Sequence, residues 1–268
     1  MTARKRARAQ SRGRAPGQPP IAVRNPAAAD VLQWNSAWLF VAFGLAMLVA
    51  FWPTYFSRLS TQPTYHPHAH GLAMTLWCVL LVAQAWLIRS GKRRLHKRVG
   101  TLSYALVPLM VVTTIDFIHF RVQGVTELGG FGLYFLALIV NALVAFLVIY
   151  GLAMVYRREA AVHARYMVCT IFPLFTPVTD RLIGAHVPAI IPLVPRIDGA
   201  PILPVAGFIL ADVILVALSI WDWRANRRTV FPIALGVVLL YHVSVLTFYR
   251  WSFWAAFGAW FVRMPFSL

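Results

Sequence analysis

Residues 130–155, GFGLYFLALIVNALVAFLVIYGLAMV, run without a charged side chain, whereas residues 89–98, RSGKRRLHKR, carry six basic ones. The first stretch exceeds the ~20 apolar residues that a helix needs to cross hydrocarbon. The second has the make-up of a short linker held beside anionic headgroups. Working outward from these two, seven apolar segments emerge, at roughly 37–56, 69–89, 99–120, 130–155, 166–185, 202–221 and 230–250. Their runs are continuous rather than alternating, which predicts helices and argues against a barrel. The expected fold is all-α, a seven-helix transmembrane bundle.

Composition agrees. Of 268 residues, 60% are hydrophobic and 12% charged, too few polar groups to cover a soluble domain of this size. The net charge of +17 is unevenly placed. Nineteen of the 25 basic residues fall before the first segment or on the even-numbered linkers. Arg58, Arg121, Arg181, Arg196, Arg250 and Arg263 are the only ones elsewhere. The bias predicts a cytoplasmic N-terminus and an external C-terminus; the expected location is a bacterial plasma membrane. Residues 1–30 are expected to be a disordered basic tail, since Arg, Ala, Pro, Gly and Gln cannot bury a core. No cleavage site follows the first segment, which argues against a signal peptide. No stacking aromatic interrupts the tail, so lipid rather than nucleic acid is its expected partner. The transmembrane domain is expected over 31–268. Cys78 and Cys169 differ too much in depth for a disulfide, which needs Cα atoms within about 7 Å.

An ionisable side chain inside a bilayer costs several kcal/mol by most scales, so each is a candidate functional group. The third segment ends Thr113, Asp116, His119, and a spacing of three places them on one face. His66, His68 and His70 open the second segment, and Asp180, Arg181 and His186 close the fifth, all at the outer level. Three uses compete. Haem b needs two neutral imidazoles, His70 with His119 or His186, with Arg181 facing a propionate. Copper or another divalent metal would take His68, His70, Asp116 and His119, and the His70–Met74–Cys78 stripe offers soft ligands. Alternatively the cluster is structural, with Arg181 paired to Asp116 or Asp180.

Two further pairs stand out. Asp212 lies roughly 15 Å into the sixth segment and His242 roughly 18 Å into the seventh, at 1.5 Å per residue. Consecutive helices are usually neighbours, so these two can meet near the midplane, as a proton relay or as an ordinary buried hydrogen bond. His96 and His163 match in depth at the inner end, where they would clamp an inner haem or simply extend into the headgroups. His96 is roughly 35 Å from His119 along one helix, which favours a single outer site over a two-haem wire. Phosphate loops, GxSxG elbows, HExxH and CxxC pairs are absent from the sequence, which excludes the common soluble hydrolase and nucleotide chemistries.

His70-Gly71, Met74, Trp77, Gln84, Gly91, Leu95-His96, Arg98 and Gly100, with the later His163-Ala-Arg-Tyr-Met167, resemble a group of uncharacterised bacterial multi-pass membrane proteins. In that group a His opens one span and a Gly…Leu-His-x-x-x-Gly linker leads to the next. The resemblance covers the second, third and fifth segments and implies a shared fold. The chain is also loosely similar to ascorbate-reducible transmembrane di-haem cytochromes, which take axial His from four consecutive helices. The fourth segment has no His, so that plan allows at most one haem, on His96 and His163. The leading expectation is a haem- or metal-binding electron-transfer protein using His70, Asp116 and His119, with a redox partner. The competing classes are a small-solute or proton-coupled transporter using Asp212 and His242, and a non-catalytic partner in a larger membrane complex.

Overall fold

The computed structural model describes residues 26–265. The expected basic tail lies outside the described residues as far as position 25, and α1 (Pro26–Phe51) already includes positions 26–30. The remaining helices are α2 (His66–Arg89), α3 (Arg93–Gly100), α4 (Ser103–Val122), α5 (Gly130–Val155), α6 (Ala160–Cys169), α7 (Phe172–His186), α8 (Pro204–Asn226), α9 (Val230–Thr247) and α10 (Ser252–Arg263). A two-residue antiparallel pair, Arg196–Ile197 with Ala200–Pro201, pins the loop before α8. The protein is all-α apart from that clip.

Five stretches are long and apolar enough to cross a membrane: His66–Arg89, Arg93–Val122, Gly130–Val155, Pro204–Asn226 and Val230–Arg250. Asn35–Phe51 is a shorter apolar helix. This is the make-up of a membrane protein. The expected fifth segment, 166–185, is not one helix. It is divided at Thr170 and Ile171 into α6 and α7. The cause is Pro173, whose ring removes an N–H and clashes with the preceding turn. Thr170 covers the break by donating its hydroxyl to the Met167 carbonyl at 2.7 Å.

Local sequence explains the other boundaries. Helix α2 ends in a Schellman turn: Gly91 has φ +71°, its N–H reaches the Ile88 carbonyl at 3.0 Å, and Lys92 N–H reaches the Leu87 carbonyl at 2.8 Å. Glycine takes that left-handed conformation without a Cβ penalty. Proline begins α8 at Pro204, where its missing N–H would have been unpaired anyway.

The helices close into a ring in which α1 packs on α2, α2 on α4, α4 on α5, α5 on α9, α9 on α8, and α8 back on α1. The divided pair α6 and α7 also reaches α5 and α9, so it occupies the centre. Trp77, Met110, Phe146 and Tyr150 fill one side of the core. Tyr166, Phe172, Leu215, Phe231 and Val238 fill the other. Helices α7 and α8 approach closely at Gly207, where a Cβ would run into the Thr179 hydroxyl. Large apolar side chains such as Leu72, Val79, Val213, Leu240 and Val243 face outward, as lipid contact requires.

Candidate functional site

The residues expected to form one outer cluster divide among three sets of neighbours. Asp116, buried on α4, accepts from His66 Nδ1 at 2.7 Å, and the Tyr65 hydroxyl donates to its other oxygen at 3.4 Å. His66 also stacks on Phe120 with ring centroids 4.3 Å apart. His70 stacks on Phe117 at 5.1 Å and places Nδ1 3.3 Å from the Thr114 hydroxyl. His119 turns toward α10 and meets Phe261 edge-on at 5.5 Å. At ~100° per residue, His119 is roughly 200° round α4 from Phe117. A spacing of three drifts by ~60° at each step, so Thr113, Asp116 and His119 do not share a single face. His68 packs beside Tyr55 instead.

Among the described residues no group of three or more His, Cys, Asp and Glu is arranged to hold a metal ion. The His70–Met74–Cys78 stripe also divides, because Met74 packs with Trp77 and Phe146 while Cys78 packs with Phe43, Ala50 and Val178. Both cysteines are free and buried. Arg181 pairs with neither His70 nor Asp116. Its guanidinium lies 4.2 Å from the Phe51 ring, donates to the Pro177 carbonyl at 2.8 Å and approaches Asp180 at 3.3 Å.

The second expected pair does come together. His242 Nδ1 hydrogen-bonds Asp212 Oδ2 at 3.2 Å and lies 3.0 Å from Oδ1. Phe208, one turn from Asp212, stacks on the imidazole at 4.0 Å and fixes its plane. The contact falls in the interior of two helices long and apolar enough to span a bilayer. Asp212 Oδ1 and His242 Nε2 have no other protein hydrogen-bond partner.

The basic end holds two arrangements. His163 Nδ1 donates to the Ala153 carbonyl at 2.8 Å. Gln84 lies between His96 and Gly100, its amide nitrogen toward the His96 Nδ1 and carbonyl and its oxygen 3.0 Å from the Gly100 N–H. The carbonyl can only accept and the N–H only donate, which sets the amide this way round. His96 Nδ1 therefore accepts. The two imidazoles stand T-shaped with centroids 6.4 Å apart. Both Nδ1 atoms are engaged by protein, so any shared ligand would meet Nε2.

The strongest polar contact was not anticipated. Arg165 on α6 donates twice to Asp222 on α8, from Nε at 2.8 Å and from NH2 at 2.7 Å. The side chains are 3% and 0% exposed, and Asn226 and the Ala161 carbonyl complete the network. In the sequence Arg165 reads as one more headgroup charge, and Asp222 follows the sixth segment beside Arg224, Arg227 and Arg228. A lone acid within a basic linker was the available signal. Of the histidines that open the second segment, His66 and not the metal candidate His68 reaches Asp116.

No family model, curated protein or solved structure matches the chain.

Breaking a buried pair strands a charge, at a cost of ~3–5 kcal/mol, whereas replacing both partners by apolar groups is often neutral. Asp222→Ala should therefore lower detergent stability far more than the double variant Arg165→Met/Asp222→Leu. A double variant as unstable as Asp222→Ala, or less stable, in a thermal-unfolding series would contradict this.

Proposed function

We propose that the chain is a seven-span protein of a bacterial plasma membrane, its basic end in the cytoplasm, that moves a small solute in step with protons. The orientation follows from the basic linkers at 89–98, 157–165 and 224–228. The seven spans comprise the five long stretches, α1, and the divided α6–α7 unit.

The observation that carries the functional reading is the Asp212–His242 contact. As an ion pair or as two neutral groups, the couple has no net charge and is tolerated in lipid. Adding or removing one proton leaves a net charge, which the bilayer opposes by several kcal/mol. Proton exchange at this couple therefore requires a compensating ion or a change of conformation, and that requirement is the basis of coupling. The α6–α7 unit supplies a central element interrupted at Thr170 and Ile171 beside Pro173, and such proline-interrupted helices are tolerated in membranes where neighbours satisfy the freed backbone groups. The Arg165–Asp222 pair holds the basic end closed in the conformation described. The resemblance to bacterial multi-pass proteins supports the fold and adds no activity.

Reconstituted in liposomes with an internal pH dye and offered a panel of small amines, carboxylates and sugars, the protein should admit protons with at least one solute. Asp212→Asn and His242→Ala should abolish that proton entry. Unchanged entry through Asp212→Asn would remove this reading.

A second reading has its own support in the His96–His163 pair, the inner position expected to suit haem b. The T-shaped rings and the His163 Nδ1–carbonyl bond suit imidazoles presenting Nε2 to a metal. Such a group would supply one-electron chemistry. The His96 Nε2 proton set by Gln84 would have to leave on binding. Detergent-purified protein should then show a Soret band with a reduced alpha band, lost in His163→Ala, or co-purifying copper. A blank spectrum without copper, iron or zinc eliminates it.

A further inference from the structure

The loop before α8 carries a hairpin clip that neither reading uses. Asp198 and Gly199, between the paired residues Arg196–Ile197 and Ala200–Pro201, have φ +49° and +78°. Both are left-handed, as in the two-residue hairpin turn that Asp-Gly favours. Arg196 NH1 donates to the Gly199 carbonyl at 2.7 Å, and the Ile202 N–H to the Pro195 carbonyl at 2.9 Å. Pro195 and Pro201 flank the turn with fixed φ angles. These local ties make residues 195–202 a small rigid unit.

Two adjacent side chains dock that unit on the helices. Ile197 is 6% exposed and joins Tyr134, Phe208, Tyr241 and Val245 in one buried cluster. Phe208 is the ring stacked on His242, so apolar packing runs from the clip to the Asp212–His242 couple. Asp198 Oδ2 accepts from the Phe131 N–H at 2.8 Å, in the first turn of α5. A helix leaves that N–H without an internal partner, and a carboxylate there also meets the positive end of the helix dipole. The seat is shaped for both residues. A Cβ on Gly130 would stand 3.1 Å from Asp198 Oδ2 and 3.4 Å from Ile197 Cγ2. Because the clip precedes Pro204, it lies at the end of α8 opposite Asp222. The basic end is held by a buried bidentate ion pair, whereas this end is held by one apolar side chain and one exposed carboxylate. An exposed charge contact is weaker than a buried network, so this is the end that opens first.

We propose that residues 195–202 form a gate over the Asp212–His242 couple, with Ile197 as its stopper and Asp198 as its latch on α5. The gate rests on the proton-coupling reading, since a couple in the membrane interior reaches one side only when that end opens. A thiol reporter beneath the clip tests the latch without any transport. Val245→Cys, at a fully buried position of α9, is combined in the full chain with Cys78→Ala and Cys169→Ala and treated with a charged, membrane-impermeant thiosulfonate. Asp198→Ala, and Gly130→Val acting from the α5 side, should each speed its modification about tenfold, equivalent to ~1.4 kcal/mol. Asp198→Asn keeps an acceptor oxygen and should react at nearly the unaltered rate. Cys169, buried beside Tyr166 and Phe172 and retained as the single thiol with Cys78→Ala, should stay equally slow in every variant. Equal rates at Val245→Cys with and without Asp198→Ala, or parallel acceleration at Cys169, overturn the gate. Proton entry independent of Asp212 removes the coupling reading instead, and leaves the labelling result to decide the gate.

Discussion

The Arg165–Asp222 pair and the close approach at Gly207 together set how α8 lies against the divided central element. The ion pair pins α8 to α6 at the basic end. Fifteen residues away along the same helix, Gly207 lets α8 come directly onto Thr179 of α7. With two points of α8 fixed, its rotation is fixed as well. That rotation carries Phe208 and Asp212 to His242 on α9. Elsewhere than in water, a misplaced carboxylate has no solvent to fall back on, so this alignment is the constraint that the polar interior depends on.

The interior is graded along its length. At the basic end the pair is bidentate, buried and completed by Asn226. In the interior the Asp212–His242 contact leaves an oxygen and a ring nitrogen without further partners. Tyr134 likewise buries a hydroxyl that no protein group meets. A fully satisfied network rigidifies, whereas a partly satisfied one has capacity for a proton or an ion. The basic end thus carries the fully paired contact, and the interior the partly paired one.

Much of the architecture was legible because lipid enforces simple rules. Segment 130–155 coincides with α5, and Asp212 and His242 could be paired from depth and adjacency alone. Depth says nothing about azimuth, however. His70 and His119 share a level but face Phe117 and Phe261 respectively, so counting along the helix could not reveal their separation. Arg165 follows the charge bias of its linker, yet it is buried because Asp222 lies in the closing turns of α8, two helices further along the chain. Pro173 signals a kink, and the helix is interrupted at Thr170 and Ile171 while both residues keep helical dihedral angles.

The central claim is that Asp212 exchanges a proton within the bilayer. Infrared difference spectra of the protein in lipid, recorded across an acidification step, test it directly with Asp212→Asn as the reference. The account predicts a carboxylic-acid carbonyl band in the unaltered protein that the variant lacks. Identical difference spectra for the two proteins would contradict it.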